Sequence, residues 1–204
     1  PWVYDEEACQ VLRKFVKLKC ALMPYLYFQA VQTHKAGIPM MRPMVVEFPE
    51  DRACETLDRQ YMLGDSLLVA PIFKESGEVE YYLPEGKWWN LLTEKTIMGG
   101  RWQKETHDYF SLPLMVRPGS ILAVGADMNK PDYNFAHKVK LLLYFPEDGA
   151  EGETSVTDEK GNIIFTAQAK RRRKEIYLNL HGETEDSGIS FQVLGEEDLQ
   201  VKMG

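Results

Sequence analysis

Residues 37–73 constrain the fold more than any other part of the sequence. Residues 40–48 form a compact, apolar and partly β-branched run between Pro39 and Pro49, which predicts a strand buried on both faces. Residues 66–73 predict a second apolar strand that ends at Pro71, and residues 53–63 predict a short helix between the two strands. Because the preceding sequence predicts helix and the following sequence predicts short strands, we expect this stretch to join two kinds of structure.

The sequence before Gly37 has the pattern of a helical segment. Asp5 precedes an acidic first turn and predicts an N-cap, since its carboxylate accepts a hydrogen bond from a free amide of that turn. Apolar residues then recur at three- and four-residue spacing. Pro24 lacks an amide proton and predicts a kink or a break near Met23. We expect helix to resume to about Lys35 and to end at Gly37.

The sequence after Phe73 predicts an all-β region, in which short strands are separated by turns containing Gly and Pro. The predicted strands are residues 79–83, 87–90, 95–98, 109–112, 115–116, 121–124, 139–145, 153–157, 163–168, 175–179 and 190–194. A polar loop at residues 125–134 divides them into two series, and we expect an antiparallel β-sandwich on each side of this loop. The predicted fold class is α+β, with domains at residues 1–73, 74–130 and 131–204.

Charge and cysteine content exclude several classes of protein. The 24 basic and 31 acidic residues give a net charge of -7, which argues against a nucleic-acid binder. We expect the basic run at residues 170–174 to be a solvated hairpin tip. Three widely spaced cysteines fit neither a disulfide framework nor a zinc site, so we expect free thiols in the reducing cytoplasm. Without an apolar run of membrane-spanning length, a phosphate-binding glycine motif or metal-ligand spacing, we expect no membrane, cofactor or metal partner.

Five acidic residues near the central stretch are candidates for sugar chemistry, because glycoside hydrolysis uses two carboxylates on either side of the scissile bond. They are Glu47, Glu50, Asp51, Asp58 and Asp65. No two of them form an evident catalytic pair. We expect Glu50 and Asp51 to be solvated and Asp65, which follows Gly64, to cap a turn.

Arg42 and Trp2 are the candidates for substrate binding. A guanidinium group within an apolar strand requires a carboxylate or several carbonyl groups, so Arg42 forms a buried salt bridge to Asp65 or Glu47 or contacts substrate directly. We favour the salt bridge. Trp2 immediately precedes the first helix, where an active-site loop of a barrel would lie. For Trp88 we favour packing in the core over contact with a sugar.

Three runs of the sequence together resemble the C-terminal part of glycoside hydrolase family 31. The runs are residues 22–27, residues 39–49 with their Pro-Met-Met-Arg-Pro-Met sequence, and residues 58–71. Within that family the sequence resembles the bacterial α-xylosidases, through its Pro-Trp-Val-Tyr-Asp start, residues 82–88 and the pair Arg101 and Trp102. The resemblance spans nearly the whole chain and weakens after about Gly149.

The resemblance implies a (β/α)8 barrel followed by a proximal and a distal β-sandwich. It also implies retaining hydrolysis of terminal α-linked xylose or glucose in oligosaccharides, through an aspartate nucleophile and an aspartate acid/base. Both aspartates, and a substrate-binding histidine, belong to barrel segments that precede Pro1, so we assign no catalytic residue to this chain. The chain would hold the last barrel helices, the eighth barrel strand and both sandwiches, and would be inactive alone.

Two alternatives to an α-xylosidase remain open, namely an α-glucosidase of the same family and a noncatalytic carbohydrate-binding module. The module would present an exposed, coplanar ring pair around Trp88 and Trp102. In isolation, residues 1–73 would expose a large apolar surface. We therefore expect the chain to assemble with the missing N-terminal barrel portion, to form a homo-oligomer, or to be part of a larger polypeptide.

Overall fold

The helices come first in the chain and the strands follow, in a computed structural model that describes residues 1–184, 187–195 and 198–204. The helices are α1 (Glu6–Ala21), α2 (Met23–Ala36) and the single turn α3 (Met44–Glu47), with a 3₁₀ turn at Arg52–Cys54. The strands are β1 (Met41–Arg42), β2 (Tyr61–Leu63), β3 (Leu67–Val69), β4 (Glu78–Leu83), β5 (Lys87–Asn90), β6 (Lys95–Met98), β7 (Arg101–Thr106), β8 (Leu114–Val116), β9 (Ser120–Val124), β10 (Lys140–Tyr144), β11 (Glu151–Thr157), β12 (Ile163–Arg172), β13 (Glu175–Gly182), β14 (Ser190–Val193) and β15 (Gln200–Met203). The described structure is mostly β, with few helices.

Local sequence signals place the boundaries of α1 and α2, as predicted. Asp5 caps α1, because its Oδ1 accepts a hydrogen bond from the Ala8 amide at 2.7 Å. The predicted break occurs at Leu22, and Pro24 lies in the first turn of α2, where a missing amide proton costs no helical hydrogen bond. Gly37 ends α2 in the left-handed conformation, with φ of 73°, and its amide donates to the Thr33 carbonyl.

Removing the Asp5 cap is expected to lower the free energy of unfolding by about 1 kcal/mol, since the Ala8 amide loses its acceptor. The comparison is between Asp5→Ala and Asp5→Asn, because asparagine keeps a side-chain oxygen at the cap. Urea unfolding followed by far-ultraviolet circular dichroism measures the difference. Equal losses in the two variants would contradict a capping role.

The predicted strand at residues 40–48 is wrong. Only β1 is extended, and Pro43 then turns the chain into α3. Proline has no amide proton for a strand ladder, so β1 ends where Pro43 begins. The side chains of Val45 and Val46 lie on the surface, with Val46 50% exposed. The apolar run is therefore a short edge strand and a helical turn instead of a strand buried on both faces.

The predicted helix at residues 53–63 is also wrong beyond its first turn. Helical structure is confined to the 3₁₀ turn at Arg52–Cys54, and Tyr61–Leu63 form β2. Residues 61–63 form a strand because they pair antiparallel with two neighbours. Met62 lies opposite Leu68 of β3 on one side and opposite Arg42 of β1 on the other. Tertiary pairing overrides the local preference of the segment.

The described strands form four sheets. A six-stranded antiparallel sheet has the order β1-β2-β3-β8-β5-β6, and β4 pairs with β7 in a two-stranded ribbon. The other two sheets have the orders β14-β10-β9 and β11-β12-β13-β15. Against the expectation of purely antiparallel sandwiches, the pairs β10–β14 and β13–β15 are parallel. Both pairs join strands separated by long connections, as parallel pairing requires.

Two sheets contain strands from both sides of the predicted domain boundaries. The six-stranded sheet joins β1, β2 and β3 to strands after residue 73, and β9 pairs with β10 across residues 130 and 131. The division at residues 73 and 130 stays a prediction.

Most predicted strands of the β region are confirmed, but residues 109–112 are not a strand. They lie in a turn, where the Phe110 amide donates to Asp108 Oδ1 at 2.9 Å. Sequence patterning does not predict β7 and β15, because the side chains of both strands are mostly exposed and those of β7 are mostly polar. Their places in the sheets depend on pairing with β4 and β13.

The helices pack against the β structure instead of standing apart from it. The Tyr133 hydroxyl donates to the Cys20 carbonyl and the Gly125 amide to the Ala21 carbonyl, each at 2.7 Å. From α2, the ring of Tyr27 contacts that of Phe135, with centroids 5.4 Å apart. Three buried apolar clusters complete the core, and side chains from the helices belong to or pack against each of them. Within the described residues, no helix combines the length and the apolar character needed to cross a membrane.

Candidate functional site at the junction of helices and sheets

Arg42 lies at the centre of a buried polar cluster, with 7% of its surface exposed. Its Nη1 donates to Glu47 Oε1 at 2.5 Å, its Nη2 to Gln29 Oε1 at 2.8 Å, and its Nε to the Pro39 carbonyl at 3.0 Å. A buried guanidinium requires such partners to offset its lost hydration. Of the alternatives that the sequence left open, these contacts support the salt bridge, and Glu47 is the partner.

Glu47 bridges two arginines. Its second oxygen accepts a hydrogen bond from Arg117 Nη1 at 2.9 Å, although Arg117 lies at the end of β8, distant in sequence. The Arg117 guanidinium also lies over the ring of Phe48, 4.6 Å from its centroid, in a cation–π contact. Sequence reasoning missed Arg117. The one available signal was a basic residue at the end of an apolar strand.

Asp65 is bonded to side chains, whereas the sequence predicted a carboxylate that caps a turn through backbone amides. Its oxygens accept from the Ser66 hydroxyl at 2.6 Å and from Gln29 Nε2 at 3.1 Å. The Tyr25 hydroxyl lies 3.4 Å from Asp65 Oδ1, donates to the Leu63 carbonyl at 2.7 Å and accepts from the Ser66 amide at 3.0 Å. Burial, and then the charge of Asp65, raise the pKa of Tyr25 well above 10.

We call these side chains the Arg42 cluster: Tyr25, Gln29, Arg42, Glu47, Asp65 and Arg117. Two arginines face two carboxylates, so the formal charges of the cluster balance. Its members come from α2, β1, α3, the turn between β2 and β3, and the end of β8. Both oxygens of Glu47 and both of Asp65 are hydrogen-bonded. A satisfied buried network of this kind rigidifies the elements that it joins.

The structure does not bring the other candidate acids into this cluster. Asp51 caps the 3₁₀ turn, accepting from the Ala53 amide at 3.0 Å, and also accepts from the Tyr82 hydroxyl at 2.9 Å. Glu50 and Asp58 are exposed. Among the described residues, no group of three or more His, Cys, Asp or Glu side chains could hold a metal ion.

Three of the four tryptophans, Trp2, Trp88 and Trp102, bear on sugar binding and differ in exposure. Trp88 is fully buried and its Nε1 donates to the Pro84 carbonyl at 2.8 Å, which confirms core packing. Trp102 is 54% exposed on β7, and Trp2 is 85% exposed in the turn that precedes α1. Because Trp88 is buried, it cannot form an exposed ring pair with Trp102.

The basic run occupies the hairpin between β12 and β13, as predicted. Lys170 forms a salt bridge with Glu151, and the Arg172 guanidinium lies 5.6 Å from the ring centroid of Tyr177. Arg171 Nη1 donates to the Phe145 carbonyl at 2.7 Å. These cations interact with neighbouring strands of the protein.

Comparison with known proteins identifies two parts of the chain. Residues 37–122 match the model of the glycosyl hydrolase family 31 C-terminal domain, and residues 134–204 match that of the C-terminal domain of α-xylosidase YicI. An α-xylosidase from Emericella nidulans is 42% identical over 151 residues, which cover 70% of this chain and 19% of that protein. The α-xylosidase XylQ from Lactiplantibacillus pentosus is 37% identical over 193 residues, which cover 93% of this chain and 25% of that protein.

Solved structures show the same fold. The GH31 dextranase of Flavobacterium johnsoniae in complex with glucose superposes with a TM-score of 0.76 at 27% identity, over 86% of this chain and 23% of that chain. The chain thus spans about a quarter or less of the length of these relatives. It belongs to glycoside hydrolase family 31, where it corresponds to the C-terminal part and is similar to α-xylosidases.

Proposed function

We propose that the chain is the C-terminal portion of an α-xylosidase, which removes terminal α-linked xylose from oligosaccharides with retention of configuration. The observation that carries this proposal is the agreement of two relatives, 42% and 37% identical, that are both α-xylosidases. The match of residues 134–204 to an α-xylosidase C-terminal domain supports it independently.

In this proposal the chain supports a catalytic centre formed by other parts of the protein. A retaining glycosidase needs two carboxyl groups about 5 Å apart on either side of the scissile bond. The carboxylates of Glu47 and Asp65 are committed to the Arg42 cluster, and that of Asp51 to a cap and a tyrosine. We therefore assign the nucleophile and the acid/base to the barrel segments that precede Pro1, and we expect the chain alone to be inactive.

The apolar surface of the first 46 residues supports assembly with the missing barrel portion. Its large exposed side chains are Trp2, Val3, Tyr4, Leu12, Val16, Ile38, Met41, Val45 and Val46. Exposed apolar side chains in such numbers mark a surface that packs against another protein surface. In the assembled protein we expect α1, α2 and β1 to close the barrel, with the Arg42 cluster holding them against the sheets. Trp2 stays a candidate for substrate binding.

Turnover of aryl α-glycosides tests the proposal. The full-length protein is expected to hydrolyse an aryl α-xyloside faster than the matching aryl α-glucoside, and the 204-residue chain is expected to hydrolyse neither. Hydrolysis by the chain alone would overturn its supporting role. Failure of the full-length protein to hydrolyse the xyloside would overturn the proposed activity.

A second candidate function keeps the family and changes the sugar. The similarity to a family 31 dextranase in complex with glucose favours an α-glucosidase as this alternative. A higher kcat/KM on the aryl α-glucoside would select it. The noncatalytic module with Trp88 and Trp102 as a coplanar platform loses its support, because Trp88 is buried.

A further inference from the structure

An open groove crosses the outer face of the β4–β7 ribbon, and we call it the Trp102 groove. Its volume is about 360 Å³, at the lower end of the range of about 300–1,000 Å³ typical of small-molecule sites. Residues 56–60 line one part of it, and Pro71, Phe73 and Lys74 line another. The outward side chains of the ribbon contribute Glu78, Glu80 and Trp102. None of these residues belongs to the Arg42 cluster.

Trp102 presents a flat apolar surface in this groove, and its neighbours hold it in place. Its cross-strand partner is Tyr82, whose ring packs edge-on against the indole, with centroids 5.9 Å apart and an interplanar angle of 61°. The Tyr82 hydroxyl is itself bonded to Asp51 at 2.9 Å. An exposed ring that is already oriented loses little conformational entropy when a ligand stacks on it. Phe73, 72% exposed, lines the same groove.

A buried side chain also fixes the polar segment of the groove, residues 58–60. Gln60 is buried, and its amide both donates to the Tyr82 carbonyl and accepts from the Tyr82 amide, each at 2.7 Å. This clamp fixes the segment that carries Asp58 and Arg59. Neither of these two side chains has a hydrogen-bond or ion-pair partner among the described residues. Their carboxylate and guanidinium groups are available to a ligand.

The charges of the groove indicate the class of ligand. Asp58, Glu78 and Glu80 face Arg59 and Lys74, and Lys74 lies 3.4 Å from Glu78 in a salt bridge. Lys104, which neighbours the groove on β7, also pairs with Glu78 at 3.6 Å. The three acids and three cations balance, so the groove has no excess of positive charge that would favour phosphates or other anions. Flat rings beside planar hydrogen-bonding groups suit a neutral ligand that has apolar faces and a rim of hydroxyls. Oligosaccharides have this chemistry, with C–H faces that stack on rings and hydroxyls that pair with carboxylate and guanidinium.

We propose that the Trp102 groove binds a neutral oligosaccharide, with one sugar ring stacked on Trp102 and its hydroxyls bonded to Asp58 and Arg59. This assignment goes beyond the proposed function, because it concerns binding by residues of this chain and does not depend on which glycosidic bond the full-length protein hydrolyses.

Indole N–H signals in ¹⁵N–¹H NMR spectra provide the test, since the chain has four tryptophans. Titrating the 204-residue chain with isomaltotriose or a xyloglucan heptasaccharide is expected to shift the Trp102 signal saturably. The signal of Trp88, a buried indole, is expected to stay in place. Trp102→Ala is expected to weaken binding about tenfold, because one stacked ring is lost. The matched control Tyr109→Ala, which removes a 70% exposed ring outside the groove, is expected to leave the affinity unchanged.

Asp58→Ala is a second variant, at an exposed position in a loop. It tests sugar binding even if Trp102→Ala fails to fold. It is expected to weaken binding with an unchanged circular dichroism spectrum. An unmoved Trp102 signal, equal shifts at Trp88 and Trp102, or saturation by inorganic phosphate in place of the sugars would each overturn the groove assignment. The proposed function fails separately, through the absence of aryl α-xyloside hydrolysis by the full-length protein.

Discussion

Replacing Glu47 by alanine is expected to lower the free energy of unfolding by about 3–5 kcal/mol, the cost of breaking a buried ion pair from one side. The Arg42 guanidinium would stay buried without its carboxylate, and Arg117 would lose the same partner. The side chains of Arg42 and Glu47 are both largely buried, so water cannot readily replace the lost contact.

Urea unfolding midpoints measure this effect, with Glu50→Ala as the matched control, because Glu50 is an exposed acid in the neighbouring loop. The double variant Glu47→Ala with Arg42→Met is expected to recover part of the loss, since removing the second charge removes the uncompensated cation. Similar midpoints for Glu47→Ala and Glu50→Ala would show that the cluster contributes little to stability.

Replacing Gly64 by alanine is expected to destabilise the chain by about 3 kcal/mol, through backbone strain and overpacking together. Gly64 has φ of 69°, and a Cβ at this position would lie 2.2 Å from the Tyr25 hydroxyl and 2.7 Å from Gln29 Cγ. The tyrosine would have to move, which would break its bonds to the Leu63 carbonyl and the Ser66 amide.

Gly37→Ala is the matched control for this variant. Gly37 has a similar φ of 73°, but a Cβ there would meet nothing within 4 Å. Its substitution is expected to cost only the backbone strain, about 1 kcal/mol. Thermal and urea unfolding of the two variants separate the packing contribution from the strain. Equal destabilisation would contradict the close approach of Tyr25 to Gly64.

Sequence reasoning succeeded where the responsible interactions are local. The Asp5 cap, the break before Pro24 and the end of α2 at Gly37 each depend on atoms within a few residues. Turns containing Gly and Pro also placed most strands of the β region, because these residues interrupt a strand through local backbone constraints. The same reasoning failed at residues 40–48, whose apolar character reflects a surface of this chain and not a strand buried on both faces.

The candidate site could be predicted only in part. A charged residue in an apolar run was sufficient to single out Arg42 and to name Glu47 and Asp65 as its possible partners. The choice between them, the second arginine of the bridge and the hydrogen bonds of Gln29 depend on α2, β1 and β8 meeting in space. The contrast between buried Trp88 and exposed Trp102 is likewise decided by which sheet face each strand covers.

The sequence by itself determined the family, α1, α2 and most of the strands, because caps, prolines and turn residues act over short distances. Only the tertiary structure decided how residues 37–73 are used. Their polar groups bond to residues far away in the chain, and their apolar side chains divide between a buried sheet and an exposed surface. Those contacts arise only when the separate segments pack together, so no local pattern contains them.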